Sequence, residues 1–231
     1  MTEGRATRMP RGPRDARTWY RDTDPMSQVD PELVEFVAAR AGRRVLDLGC
    51  GLGGYSRALG DRGFDCYGLD VIDEYVEAAR GIGVHADRYD GERLPLADDA
   101  VDTVILIEVL EHLEDPKALL REAARVAGQS VLVTTPNCTQ DFGTVPIEFS
   151  HMLDLDHRQF FTVDSLGDLL DASFPRYEVT QSHPIDHMLA GLVLPPALQR
   201  VYGALARVDS NRPRYFSRLL GEGWVGDGPT R

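Results

Sequence analysis

Two stretches of the chain concentrate side chains able to move protons or hold a cation. EVLEH, residues 108–112, carries Glu108, Glu111 and His112, and HMLDLDH, residues 151–157, packs His151, Asp154, Asp156 and His157 into seven positions. A helical turn over the first stretch would place positions i, i+3 and i+4 on one face and bring Glu108, Glu111 and His112 together. An imidazole can accept a proton near neutral pH, which makes His151 the candidate general base with His157 beside it. Carboxylates can hold a hard divalent ion such as Mg²⁺. Each residue also has a plainer use. The Glu-His pair can tie a strand end to neighbouring backbone, His151 can make a surface hydrogen bond, and His157 can cap backbone beside Phe160 and Phe161. Of Asp154 and Asp156, one at most is expected to reach a shared site, and Asp154 is favoured.

A third group is quieter. VLDLGCGLGG, residues 45–54, satisfies the G-x-G-x-x-G pattern through Gly49, Gly51 and Gly54, between an expected strand and an expected helix. On its own that pattern fits a dinucleotide. Asp47 argues otherwise, because a pyrophosphate at the helix N-terminus would meet this carboxylate at close range. S-adenosylmethionine has no phosphate and carries an ammonium and a sulfonium, so the same charge attracts it. Asp70, nineteen positions after Gly51, ends the second strand, where a carboxylate can accept from both ribose hydroxyls.

The elements that must position these groups alternate. PELVEFVAAR opens as a helix capped by Asp30 with Pro31 at its first position. RRVLDLG is a buried strand, GYSRALGDRG a helix closed by Gly63, FDCYGLD a strand, EYVEAARG a helix and VHADRY a short strand. AVDTVILIEV is a continuous apolar run of the kind buried on both faces, PKALLREAARVAG an amphipathic helix and SVLVTTPN a fifth strand. After Asn137 a long loop runs to Phe161. TVDSLGDLLDA then reads as a helix capped by Thr162, with Ser165 too early to reciprocate as a glutamate would, and RYEVTQS reads as a strand. PALQRVYGALARV reads as helical, with a last short strand around Trp224. Alternating strands and helices imply an α/β fold with a doubly wound, mostly parallel sheet in a single domain.

Composition narrows the function classes. The 231 residues carry a net charge of −12, which repels a polynucleotide backbone and favours neutral or small acceptors. Arg5, Arg8, Arg11, Arg14 and Arg17 recur among Pro and Gly in residues 1–20, read as a flexible basic arm before a domain over 21–231. No apolar run approaches the ~20 residues that cross a bilayer, and the first residues lack the apolar stretch of a signal peptide, so a cytoplasmic location without membrane contact is expected. Cys50, Cys66 and Cys138 are odd in number and widely spaced, and read as reduced thiols.

VLDLGCGLGGYSRALGDRGFDCYGLD and DGERLPLADDAVDTVILIEVLEHLEDP together resemble the class I S-adenosylmethionine-dependent methyltransferases, a likeness covering roughly residues 40–182. The resemblance implies a Rossmann-like sheet and a donor site made by Asp47, Gly49, Gly51, Asp70 and Glu108. It also implies Asp90 on the adenine amino group, with Asp87 as competitor. EVLEH followed by a later DH is similar to the small-RNA 3′-end 2′-O-methyltransferases, which implies Glu108, Glu111, His112 and His157 as candidate ligands of a divalent ion; Asp154 is added to that set from the loop's own residues, and Mg²⁺ is the expected ion. The segments TPNCTQDF and DLDHRQFFT resemble more closely the mycobacterial sugar O-methyltransferases of methylmannose polysaccharide synthesis. The expectation is therefore methylation of a hydroxyl on a small mannose-type carbohydrate, with 138–161 and 183–231 as acceptor-binding elements, the second of which could instead form a homodimer contact. Three alternatives stand beside it: an RNA 2′-O-methyltransferase, a metal-independent quinone or lipid methyltransferase, and a non-catalytic nucleoside-binding domain that serves a partner.

Overall fold

Strand β4, Val101–Ile107, shows why the sheet is covered on both sides. Val104, Ile105 and Leu106 are all fully buried, so neither face of the strand meets water. A computed structural model of the chain describes residues 23–138, 156–184 and 216–226. Its other strands are β1 (Arg44–Leu48), β2 (Asp65–Asp70), β3 (Ala86–Arg88), β5 (Ala127–Pro136), β6 (Arg176–Pro184) and β7 (Phe216–Trp224). They form one seven-stranded sheet in the order β3-β2-β1-β4-β5-β7-β6. The pairs β1–β2, β1–β4, β2–β3 and β4–β5 are parallel, and β7 runs antiparallel to both of its neighbours. The α/β, mostly parallel, doubly wound expectation holds.

Side chains alternate across this sheet with period two. Leu46, Leu48, Val104, Leu106, Val131 and Val133 enter one core with α4 (Pro116–Val126) and α5 (Val163–Asp171). Val45, Ile105 and Leu132 enter the other, beneath α1 (Pro31–Ala38) and α2 (Gly54–Gly60). A third helix, α3 (Asp73–Gly81), seals the edge through Val76 and Ala79. Full burial of each such leucine or valine stabilises by about 1.5–3 kcal/mol. Parallel strands joined this way bring every β1, β2 and β4 C-terminus to one edge, where α/β proteins place their ligands.

Local signals hold at several helix starts. Asp30 Oδ1 accepts from the Glu32 N–H at 2.9 Å with Pro31 at the first position of α1, and Asp115 caps α4 in the same manner. One expectation is overturned. Ser165 does complete a capping box: its N–H donates to Thr162 Oγ1 at 3.1 Å, and its own Oγ accepts from the Thr162 N–H at 2.8 Å. A serine at this third position is near enough to do what a longer glutamate normally does.

The last strand is also more than expected. β7 has nine residues and lies inside the sheet, between β5 and β6. Gly221 and Gly223 hide it from a strand pattern, yet both are required. A Cβ on Gly221 would meet Val133 Cγ2 at 2.6 Å, and one on Gly223 would strike the Phe174 ring. The helix expected over PALQRVYGALARV, the arm at 1–20, His151 and Asp154 lie outside the described residues. Among the described residues, no helix is long and apolar enough to cross a membrane.

Candidate active site

The turn after β1 is forced by its glycines. Gly49 has φ +80° and its N–H donates to Leu69 O at 2.7 Å; a Cβ there would meet Val109 Cγ2 at 2.7 Å. Gly53, at φ +81°, sets the N-terminus of α2, and a Cβ on it would meet that of Ala79 at 2.7 Å. The G-x-G-x-x-G count selected Gly54 instead, which is already helical and lies against the Pro25 carbonyl. Beside Gly51, in contrast, there is open space.

That space belongs to a cavity of about 930 Å³ at the C-terminal edge of the sheet, the size class of small-molecule sites. Asp47 and Asp70 line one end. Asp47 is 2 % exposed and accepts from Ser56 Oγ–H at 2.7 Å. Burial pushes its carboxyl up to about 6, against the opposing pull of the Ser56 hydroxyl. Asp70 accepts from the Gly51 N–H at 2.9 Å and the Ile72 N–H at 3.0 Å, so its orientation is fixed by backbone. Burial raises its pKa as well, while those N–H groups pull it back. Each carboxylate oxygen has two lone pairs, so Asp70 retains acceptor capacity toward the cavity.

The two acids proposed for an adenine are engaged elsewhere. Asp90 is exposed and accepts from the Glu92 and Arg93 N–H groups of its own turn, which holds its pKa below the usual carboxylate value. Asp87 accepts from the Tyr67 hydroxyl at 2.8 Å and pairs with Arg80. Neither lines the cavity; Tyr89, between them, does.

At the other end the chain departs from a regular helix. Glu108 sits at φ +56°, a conformation costly for a residue with a Cβ, and only Leu110–His112 form a short 3₁₀ turn. Glu108 is held there by Thr134, whose Oγ1 accepts from the Glu108 N–H at 3.2 Å and donates to Glu108 Oε1 at 3.0 Å. The same Oε1 pairs with Arg218 Nε at 3.2 Å, and Arg218 Nη1 pairs with Asp30 Oδ2 at 3.1 Å. Tyr55 adds to this group by accepting the Asp30 N–H, and burial pushes its hydroxyl up to about 12.

Glu111 and His112 meet His157 instead, in a group whose potential ligand atoms all lie within 4.8 Å of one another. The rings of His112 and His157 stand edge to face, with centroids 4.8 Å apart. Glu111 is 1 % exposed. Its Oε2 accepts from Thr135 Oγ1 at 3.3 Å, whereas Oε1 is the only buried side-chain oxygen or nitrogen without a hydrogen-bond partner among the described residues. Burial, and then the Glu108 charge, hold this carboxyl well above the usual range. The Glu111 carbonyl accepts from the Arg158 and Gln159 N–H groups, and His112 Nδ1 lies 3.2 Å from Asp156 O. The Glu-His pair thus does tie the strand end to the following segment.

The Mg²⁺ set expected from sequence does not assemble as a set. Among the described residues Glu108 is held by Thr134 and Arg218 and stands outside the cluster, which there consists of Glu111, His112 and His157, while Asp154 lies outside the described residues. Mg²⁺ demands oxygen ligands in near-ideal octahedral geometry, so this nitrogen-rich group does not fit it. Asp156, the less favoured acid, lines the cavity. Sequence reasoning missed Gly53, Ser56, Tyr89 and Arg218. A count of left-handed turn positions could have found Gly53, but nothing local points to Arg218.

Comparison with known proteins agrees with this geometry. A family profile described as "Methyltransferase domain" matches residues 21–173. The "Ubiquinone biosynthesis O-methyltransferase" of Hahella chejuensis is 33% identical over 135 residues, covering 52% of this chain and 57% of that protein. Its namesake from Pseudomonas aeruginosa (strain UCBPP-PA14) is 29% identical over 174 residues, covering 65% and 74%. The chain therefore spans little more than half the length of the first of these relatives, and both carry a quinone name where a sugar enzyme was expected. Among solved structures, an S-adenosylmethionine-dependent methyltransferase from Archaeoglobus fulgidus superposes with a TM-score of 0.65 at 15% identity, covering 91% of this chain and 100% of that one. Another from Mesorhizobium loti gives 0.55 at 20% identity, covering 84% and 96%. At such identities the likeness is one of fold, and it joins the profile match over the glycine turn, the acid-lined cavity and the EVLEH segment: the chain belongs to the methyltransferase domain family.

Proposed function

We propose that this chain is an S-adenosylmethionine-dependent O-methyltransferase acting on a hydroxyl of a small, quinol-type aromatic acceptor. One observation carries the donor assignment: Asp47 and Asp70 are both buried beside the glycine turn, and among the described residues lining the cavity the only lysine or arginine side chains are Arg158 and Arg218, which come from the segment after position 156 and from β7 rather than from that turn. Such a pocket rejects phosphates and suits a cationic nucleoside. Asp70 would accept from the ribose hydroxyls, Gly51 leaves room for the ligand, Val71 and Tyr89 offer apolar surface to a base, and Asp47 supplies the negative charge. When bound, the donor supplies a methyl group already activated by a positive sulfur.

What is left to the chain is to exclude water, align the acceptor and take its proton. His112 lines the cavity, and its Nδ1 lies beside a backbone carbonyl that can only accept. Nδ1 therefore carries the ring proton in the neutral form, and Nε2 keeps the lone pair that receives the acceptor's proton. A phenolic hydroxyl, with a pKa of about 10, releases its proton to an imidazole far more readily than a sugar hydroxyl does. That chemistry, and the names of the relatives, favour the aromatic acceptor over the mannose-type one.

A second reading has one observation in its favour. The unpartnered Glu111 Oε1 beside two imidazoles would suit a borderline ion such as Zn²⁺ or Mn²⁺. Methyl-labelled donor incubated with a catechol, a mannose oligosaccharide and a small RNA, each with and without EDTA, separates these cases. Labelled catechol that is indifferent to EDTA supports the proposal. Loss on chelation with recovery on added Mn²⁺ or Zn²⁺ supports the metal reading, and label on the sugar or RNA alone overturns the acceptor class.

A further inference from the structure

We infer that Arg218 reads the carboxylate of the donor's amino-acid tail, and so selects the intact methionine-derived cofactor over forms lacking that carboxylate. The inference rests on the donor assignment above. An amino-acid tail is a zwitterion, so a site that recognises it needs a cationic group as well as an anionic one. The cavity wall is rich in acids, with Asp47, Asp70, Glu108 and Asp156, and among the described residues its only guanidinium groups belong to Arg158 and Arg218. Arg158 has a side chain 55% exposed and pairs with Glu114 at the surface. Arg218, at 23%, is the inward one.

Its placement suits the task. Arg218 extends from β7 across to Glu108 at the end of β4, and β4 is the direct neighbour of β1, which carries Asp47. A guanidinium has five N–H donors in a rigid fork. Nε is used on Glu108 and Nη1 on Asp30, while Nη2 makes no hydrogen bond among the described residues. Two carboxylates thus hold the fork in place and leave one edge available. The local charge, two acids against one base, makes a bare anion a poor ligand there. A zwitterion is different, because its ammonium can approach Glu108 or Asp47 while its carboxylate takes the Nη2 edge.

The competing view is that Arg218 only clamps Asp30 to Glu108 and touches no ligand. Decarboxylated S-adenosylmethionine tests the difference, since it keeps the nucleoside, the sulfonium and the ammonium. Calorimetric titration of the wild-type chain should show it binding about 10- to 100-fold more weakly than S-adenosylmethionine, as loss of a charge-assisted hydrogen bond predicts. In Arg218→Gln that ratio should collapse toward one, and in Arg218→Lys it should fall between, with thermal unfolding checking that each variant is folded. A ratio near one in the wild type overturns the inference without recourse to any variant. So does an Arg218→Gln chain in which both affinities drop by the same factor, the signature of a mere clamp. Failure of the wild type to bind either ligand would overturn the donor assignment itself, and the inference with it.

Discussion

The two ends of the cavity are built from opposite materials. At the donor end every decisive contact is close in sequence: Ser56 is nine positions from Asp47, and Gly51 nineteen from Asp70. At the acceptor end the contacts are distant, with His112 to Asp156 spanning 44 positions and Arg218 to Asp30 spanning 188. The first end is a strand–turn–helix unit that folds its own ligand contacts into place. The second exists only once β4, β5, β7 and the 156–161 segment have assembled. Damage to the donor end should therefore act on binding and damage at His112 on turnover, whereas Arg218, where the two ends meet, should act on donor binding although it is assembled from distant parts of the chain.

The largest effect is expected at Asp70. Replacement by alanine removes the acceptor proposed for the ribose hydroxyls and strips the Gly51 and Ile72 N–H groups of their partner. Donor affinity should fall about a thousandfold, from two lost charge-assisted hydrogen bonds of about 2 kcal/mol each. Titration of donor into the variant checks this; a loss under tenfold would mean that the nucleoside is held elsewhere.

Asp47 sharpens the contrast because it sets binding against stability. Burial pushes its native carboxyl up to about 6, above the ordinary aspartate value of about 3.9. Between those values the native state holds a proton that the unfolded state has released, so stability falls as pH rises through that window. Above pH 6 the full cost, about 3 kcal/mol at 1.36 kcal/mol per unit, is in place. Asp47→Asn should consequently unfold at higher temperature than the wild type at pH 8 and at nearly the same temperature at pH 4, while binding donor more weakly at pH 8. Equal unfolding temperatures at pH 8 would show that the buried charge is not a burden.

The difference between the ends is also what made one legible in the sequence and the other not. Asp47, Gly49, Gly51 and Asp70 could be placed because glycines with obligatory positive φ and a buried strand are local facts. The sheet was readable for the same reason, through the unbroken apolar runs of β4 and β5. EVLEH was visible as chemistry but not as geometry. A helical turn would have joined Glu108 to Glu111 and His112, whereas Thr134 and Arg218, 26 and 110 positions further along the chain, pull Glu108 into a left-handed conformation that no local pattern encodes. Asp90 falls outside the cavity lining, in an Asx-type turn whose N–H groups its Oδ1 accepts, and β7 was underestimated because its two glycines serve packing.

At the acceptor end, His112 is the residue to break. His112→Gln keeps a side chain able to reach Asp156 O but removes the basic nitrogen. Turnover should drop about a hundredfold, the lower range for loss of a general base, with donor affinity unchanged within a factor of two or three. A single-turnover assay beside a binding titration separates the two quantities. Weakened donor binding with intact turnover would erase the proposed division of labour between the ends.

The smallest effect lies at the start of α5, directly after the 156–161 segment that carries His157. Thr162→Ala removes the hydroxyl that accepts from the Ser165 N–H, at a cost of about 1 kcal/mol. Ser165→Ala removes the reciprocal acceptor for the Thr162 N–H and should cost about the same. Because both oxygens belong to one capping box, the double variant should lose less than the sum of the two single losses. Chemical unfolding of the three variants measures that shortfall. Strict additivity would mean that the two bonds act independently, and α5 would then be anchored by Leu166, Leu169 and Leu170 in the core with its N-terminus contributing little to where His157 sits.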